Sequence, residues 1–254
     1  LVTGVQTCAL PIFKPTVPVF DANVALGRRH DRRVPSDTLE GTLEAMDRAG
    51  VDRAVVYSPH AANFDSQDGN QLLQQTVQGE PSLVPQYVCT PAADDLDAFA
   101  TQVRERGVRS VRMFPRLHNY PFRDWVVKPW LNWMAVEGLP LWIPIDQFDP
   151  SELHDTIKDH PDVSVVLSEL HYGQATWVMS LLRSLPNVHV EISRFLITDG
   201  VARLIDAAGE ERVLFGSRFP DSPMAPQLYN LHRCHLSTAT LAAICSGNLQ
   251  RLLR

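Results

Sequence analysis

Short apolar, β-branched segments alternate with segments of helical periodicity along the chain. The apolar segments predict eight β-strands, at residues 17–23, 53–58, 83–89, 108–114, 139–145, 163–168, 188–193 and 212–217. A strand followed by a helix, repeated many times, is typical of a parallel sheet that is covered by helices. The pattern therefore predicts an α/β protein.

Signals for helix starts and ends lie between these strands. Ser36 is predicted to cap a helix that ends at Gly50, and Asp95 to open one that ends near Gly107. Further helices are predicted at residues 124–138, 150–160, 174–185 and 199–209, with three more after the last strand at 228–234, 238–245 and 248–253.

Eight strands with intervening helices favour a closed, TIM-like (β/α)8 barrel with C-terminal helices, in a single domain over residues 14–254. Such a barrel typically needs about 250 residues, which the chain length satisfies. A doubly wound open sheet is the alternative, because the number of strands does not establish closure.

The N-terminal segment has a different character. Residues 2–12, VTGVQTCALPI, resemble the translation of a sequencing adapter, and Phe13 fits the last base of that adapter. We therefore expect residues 1–13 to be adapter-derived or disordered, with the native N-terminal sequence missing, and exclude them from fold reasoning. A natural apolar N-terminus is the alternative.

Composition narrows the classes of function. A hydrophobic content of 44% with 20% charged residues is ordinary for a soluble globular protein. No apolar run approaches the roughly 18 residues of a membrane helix. The net charge of -6 argues against nucleic acid as the main partner. We expect a cytoplasmic protein that binds a small molecule rather than a membrane or nucleic acid, with a homo-oligomer left open.

Seven segments at the predicted strands and in the closing helix keep a characteristic order and spacing. They are VFDANVALG (19–27), AGVDRAVVYSP (49–59), GLPLWIPI (138–145), HPDVSVVLSELHYG (160–173), LPNVHVEIS (185–193), ERVLFGSRFP (211–220) and SGNLQRLL (246–253). Together they resemble the amidohydrolase-related family, of the amidohydrolase 2 type, whose members are metal-dependent hydrolases and decarboxylases. The resemblance implies a barrel whose chemistry lies at the carboxyl ends of the strands.

The resemblance also implies a divalent metal such as zinc, but the ligand positions are altered. In the family, the first strand ends in His-x-His, the fifth and sixth strands each bring a His, and the eighth brings an Asp. Such ligands hold a metal that activates water. The matching positions here are Asn23, Ala25, Pro144, Glu169 and Arg218. Because a fixed guanidinium charge repels a divalent cation, we expect no metal ligand set and no cofactor.

Charged side chains at the strand ends are the candidates for catalysis. Arg218 is predicted to pair with Glu169 or Asp21, because an unpaired buried guanidinium is costly. His171 lies two residues after Glu169 and is either a general base or a hydrogen-bonded structural residue. Asp21 is either a base or an anchor of the barrel. The candidates for ligand binding are Asn23, Arg112, Arg116, Asp146 and Arg194.

Two functions remain open. One is a divergent hydrolase or carbon-carbon lyase acting on a small carboxylate or cyclic substrate, with His171 or Glu169 as base and Arg218 as oxyanion stabiliser. The other is an inactive relative that binds a small anion or a protein partner. A positive mouth would favour the anion, and the candidates for that charge include the arginines of GRRHDRR, which are either anion ligands or a solvated loop: Arg28, Arg29, Arg32 and Arg33.

Overall fold

The computed structural model describes residues 13–29 and 31–254. The adapter interpretation of residues 2–12 lies outside these residues. Phe13, which we assigned to the same N-terminal segment, instead packs on the folded domain. Its ring lies 5.4 Å from the ring of Tyr229 and 4.9 Å from that of His232, centroid to centroid. Phe13 therefore contacts the helix Met224–His232 of the folded domain.

Parallel strands form the centre of the fold, and all eight predicted strands are present in shortened form. The third is interrupted at Gln86 and is described as two strands. The strands are β1 (Phe20–Ala25), β2 (Arg53–Tyr57), β3 (Leu83–Pro85), β4 (Tyr87–Cys89), β5 (Val111–Met113), β6 (Leu141–Pro144), β7 (Val165–Ser168), β8 (Val188–Glu191) and β9 (Val213–Leu214).

The strands close into a barrel. β1, β2 and β3 pair in that order, as do β4 to β9, and every pair is parallel. The backbone N–H of Gln86 donates to the carbonyl of Val56 at 2.8 Å, which continues the pairing across the interruption. Ala22 N donates to the carbonyl of Phe215 at 3.0 Å and joins β1 to the chain after β9. The single-domain barrel is confirmed, and the open-sheet alternative is wrong.

Helices surround the barrel, and the last helix packs against β1 and β9. They are α1 (Leu39–Ala49), α2 (Pro59–Asn63), α3 (Ser66–Thr76), α4 (Leu96–Arg106), α5 (Asp124–Glu137), α6 (Pro150–Ile157), α7 (Ala175–Ser184), α8 (Gly200–Ala208), α9 (Met224–His232), α10 (Thr238–Ala242) and α11 (Asn248–Leu252), with a π-helical turn at Ala243–Gly247. Within the described ranges, no helix combines the length and the apolar character needed to cross a membrane.

The helix boundaries follow local chemistry. α1 ends at Gly50, which adopts the left-handed conformation, as predicted. Its cap is Thr38 rather than Ser36, because the Thr38 hydroxyl accepts the N–H of Gly41 at 3.1 Å. α2 and α3 were missed. α3 buries only Gly69, Asn70 and Leu73, so its apolar face is too narrow to produce a clear helical period.

The barrel interior has an apolar half and a polar half. A buried cluster towards the amino ends of the strands comprises Phe20, Ala22, Val55, Trp142, Val166, Leu214 and Leu249. Inward-facing polar side chains, among them Gln86, Arg112 and Glu191, lie nearer the carboxyl ends and are fully buried. The fold therefore places a polar network at the mouth of the barrel.

Candidate active site

Arg112, on β5, lies at the centre of this polar network. Its Nε donates to Gln86 Oε1 at 2.7 Å, and its Nη2 donates to Asn23 Oδ1 at 2.9 Å. The guanidinium carbon lies 4.0 Å from the ring centroid of Tyr57, within cation–π range. Burial lowers the pKa of Arg112, but an arginine remains protonated at any relevant pH. The network is therefore built around an internal cation.

Glu191, at the end of β8, is the principal buried acceptor. It accepts Asn23 Nδ2 at 2.9 Å and the backbone N–H of Glu169 at 3.0 Å, together with the N–H and hydroxyl of Ser193. A Cβ at Gly216 would collide with the Glu191 carboxyl group, so a glycine is needed at this point of the neighbouring segment. Glu191 thus fixes both Asn23 and the backbone of Glu169.

Asp21, on β1, anchors the closure of the barrel. Its Oδ1 accepts the backbone N–H groups of Asn23 at 3.0 Å and Ser217 at 2.9 Å, and the side chain is fully buried. Burial raises the pKa of Asp21 to about 6. Burial, with a contribution from the charge of Asp21, raises the pKa of Glu191 to about 7. Both carboxyl groups therefore hold protons more tightly than they do in water.

These raised pKa values predict a stability that falls as the pH rises. Between about pH 4.5 and pH 7 the folded chain keeps the Glu191 proton that the unfolded chain has lost. Glu191 alone should cost on the order of 2 kcal/mol between pH 5.5 and pH 8. Urea denaturation of the wild type and of Glu191→Gln at both pH values measures this cost. The variant should lose less stability over the interval, and an equal loss in both proteins would contradict the assignment.

The ion pair between Arg218 and Glu169 lies above this network. Arg218 Nε is 2.6 Å from Glu169 Oε2, so one of the two predicted partners of Arg218 is its partner in the structure. Both residues have a φ of 62°, in the left-handed region, so the chain turns sharply after each strand. Their side chains are 21% and 15% exposed, which leaves the pair within reach of solvent.

Asp221 ties the ion pair to the loop that follows β1. It lies 3.3 Å from Arg218 Nη2, 3.0 Å from Arg29 Nη1 and 3.5 Å from Arg32 Nη1. Asp31 also pairs with Arg29 and Arg32, each at 3.0 Å. Neighbouring carboxylates therefore offset the charge of Arg29 and Arg32, two of the arginines considered for a positive mouth.

The side chain of His171 makes a structural hydrogen bond outside the ion pair of Arg218 and Glu169. Its Nδ1 accepts the backbone N–H of Gly173 at 3.2 Å and caps a short 3-10 helix. The backbone of His171 also bridges to that of Arg194. No hydrogen bond within the described part of the chain joins His171 to Glu169 or Arg218.

The ligand-binding candidates differ in burial, and Arg194 is half-buried. Asn23 and Arg112 are 1% and 0% exposed, so they support the floor of the mouth. Arg116 and Asp146 are exposed on loops after β5 and β6, and Arg116 Nη2 contacts the Phe148 carbonyl at 3.5 Å. These candidates therefore do not line a single binding site in the structure.

The donor set at the strand ends does not fit a divalent metal. Arg112 already binds the amide oxygen of Asn23, and Arg218 binds the Glu169 carboxylate. Ala25 and Pro144 have no side-chain donor. Over residues 13–29 and 31–254, no three or more His, Cys, Asp or Glu residues are grouped so that they could hold a metal ion. Guanidinium groups supply the positive charge in this region.

Several residues of the site were not assigned a role from the sequence. No role was assigned to Tyr57, Gln86, Glu191 or Asp221. The available signal was a polar residue at an inward-facing position of a predicted strand, as at Gln86 and Glu191. Asp221 lies three residues after Arg218, which is a second, weaker signal.

The closed parallel barrel with a polar carboxyl end defines the class as a TIM-type α/β barrel. The family model described as Amidohydrolase matches residues 19–254. The chain therefore belongs to the amidohydrolase family, as its strand-end segments predicted. No curated protein matches the chain in sequence.

Solved structures share the fold at low sequence identity. An uncharacterized TIM-barrel protein from Bordetella bronchiseptica aligns with a TM-score of 0.76 and 18% identity, covering 95% of this chain and 98% of that one. The 5-carboxyvanillate decarboxylase LigW from Sphingomonas paucimobilis aligns with a TM-score of 0.74 and 17% identity, covering 94% and 99%. A 5-carboxyvanillate decarboxylase from Novosphingobium aromaticivorans, complexed with manganese and 4-hydroxy-3-methoxy-5-nitrobenzoic acid, aligns with a TM-score of 0.75 and 13% identity. The alignment covers 94% of this chain and 96% of that one.

Proposed function

We propose that this chain is a divergent hydrolase or carbon-carbon lyase that acts on a small carboxylate or cyclic substrate at the mouth of the barrel, without the usual metal centre. The observation that carries the proposal is the 2.6 Å ion pair between Arg218 and Glu169, at two positions where relatives present metal ligands. A fixed organic cation there can stabilise developing negative charge, which is one role of a metal in such sites. Decarboxylases among the structural neighbours support the substrate class.

Arg218 is the group proposed to face the reacting carbonyl or carboxylate. Its Nε and Nη2 are held by Glu169 and Asp221, while Nη1 has no hydrogen-bond partner among residues 13–29 and 31–254. Nη1 can therefore donate to a substrate oxygen while the other two nitrogens fix its position. Glu169, or His171 after a change of rotamer, is the proposed base that accepts a proton from water or substrate.

Supporting roles follow from burial. Asn23, Arg112 and Asp21 hold the floor of the site, and Arg116, Asp146 and Arg194 are proposed to contact the distal part of a substrate. The alternative function is an inactive relative that binds a small anion or a protein partner. The incompletely engaged Arg218 guanidinium is the observation that favours the anion.

The proposal predicts turnover that is independent of metal. Chelator-treated protein should act on a panel of lactones and aromatic carboxylates, and Arg218→Met should lower kcat/KM at least about 100-fold, because an electrostatic donor to the transition state is lost. Arg203→Met, an exposed arginine of α8, serves as the matched control and should retain activity. Product formation followed by chromatography measures both.

Two outcomes would redirect the assignment. Activity that appears only after zinc or manganese is added would contradict the metal-free proposal. A panel with no turnover, combined with saturable binding of a carboxylate that Arg218→Met removes, would support the binding role.

A further inference from the structure

The amino end of the barrel, opposite the mouth, carries two adjoining cavities. The smaller has a volume of about 330 Å³ and the larger about 580 Å³. Phe20, Arg53 and Gln250 line both. Phe20 is the first residue of β1 and Arg53 is the first residue of β2, so both cavities lie at the amino ends of the strands.

Three arginines converge on the smaller cavity. Arg53, Arg109 and Arg254 line it, and no acidic side chain is among its lining residues within the described part of the chain. All three are exposed, so solvent screens much of their mutual repulsion, and a bound anion would reduce it further. The chain as a whole is acidic, with a net charge of -6, so the cluster does not reflect a generally basic surface.

The arginines are available to a ligand. The side chains of Arg53, Arg109 and Arg254 make no hydrogen bond or ion pair with residues 13–29 or 31–254. Arg53 is held instead by the ring of Phe20, with its guanidinium carbon 4.4 Å from the ring centroid. This contact orients the guanidinium group while leaving its N–H groups unused.

The larger cavity offers space beside the arginines. Lys14 and Arg48 add positive charge there. Asp47 and Asp52 also line it and offset part of that charge, and one Asp52 carboxylate oxygen accepts the backbone N–H of Val19 at 2.7 Å. A ligand with an anionic group in the smaller cavity can thus extend an organic portion along Phe20 and Gln250.

We propose that this end of the barrel binds a small ligand bearing a phosphate group, with Arg53, Arg109 and Arg254 around the phosphate oxygens. Arginine forks match the geometry of phosphate, and three of them compensate a dianion. The site is separated from the mouth by the apolar layer of the barrel interior, and it is independent of the proposed function.

Calorimetric titration tests the site with inorganic phosphate, pyrophosphate and adenosine monophosphate at constant ionic strength. Wild type should bind at least one of them saturably, and Arg53→Ala/Arg109→Ala should weaken that binding about 100-fold, on the basis of roughly tenfold per lost charged contact. The matched control is Arg183→Ala/Arg203→Ala, which changes the net charge equally at exposed positions on α7 and α8. It should bind as the wild type does.

The arms of the titration also distinguish the ligand source. Tighter binding of adenosine monophosphate than of phosphate indicates a phosphorylated organic molecule, and equal binding indicates the free anion. Absence of saturable binding to wild type, or equal weakening in the control, would overturn the proposal.

Arg109→Ala alone should raise the thermal midpoint of unfolding in phosphate-free, low-salt buffer by relieving repulsion between the arginines, and a lowered midpoint would also count against the site.

Discussion

Replacement of Arg112 by methionine should lower the free energy of unfolding by about 3–5 kcal/mol, the range for removing one partner of a buried charge network. Methionine roughly preserves the volume of the side chain but leaves the amide oxygens of Gln86 and Asn23 without their donors. It also leaves Glu191 without the compensating charge of the buried guanidinium. The loss should be visible in urea denaturation at neutral pH.

The control for this experiment is Arg116→Met, an exposed arginine that follows the same strand. This substitution should change the free energy of unfolding by no more than about 0.5 kcal/mol, as most surface substitutions do. A double variant, Arg112→Met/Glu191→Gln, should recover part of the loss at about pH 8 and above, where it removes a buried carboxylate that the guanidinium no longer compensates. A loss below about 1 kcal/mol in Arg112→Met would show that the buried cation is not an important part of the fold.

Restoring the ligands of relatives should create a metal site only when Arg218 is also removed. The five-position variant N23H/A25H/P144H/E169H/R218D is expected to bind zinc or manganese at least about 1,000-fold more tightly than the same four-histidine variant that keeps Arg218. Unit charges about 4 Å apart interact by about 4 kcal/mol near a protein surface, and 1.4 kcal/mol corresponds to tenfold in affinity. The guanidinium alone therefore accounts for this factor.

The matched control keeps Arg218 and carries only the four histidine substitutions. Competition with a coloured zinc indicator compares the two proteins, and circular dichroism confirms that both are folded. Equal affinity in both variants would show that Arg218 does not exclude the metal, and that the missing imidazoles alone explain the change.

The strand pattern predicted most of the fold because each buried strand is a short apolar segment next to a helix signal. α3 escaped prediction because only three of its residues are buried, so its pattern is mostly polar. The interruption at Gln86 was not foreseen. The side chain of Gln86 bonds to Arg112 and Ser110, on and next to the neighbouring strand β5, and such partners are not visible in the sequence pattern.

The ion pair between Arg218 and Glu169 was predictable because opposite charges follow two strands whose carboxyl ends meet at one face. The network beneath it was not. Asn23 bonds to Arg112, 89 positions away, and to Glu191, 168 positions away. Such partners depend on barrel closure and on rotamers, which composition and spacing do not determine. The pairing of Asp221 with Arg29 and Arg32, which lie in a different loop, was unpredictable for the same reason.

Metal analysis of the protein, purified without chelators, tests the central claim that organic cations replace the metal at the mouth. Inductively coupled plasma mass spectrometry should find less than about 0.1 metal ion per chain, because the available donors are engaged by guanidinium groups. Glu169→Ala serves as the comparison. Near-stoichiometric zinc or manganese in the wild type, lost in Glu169→Ala, would contradict the claim.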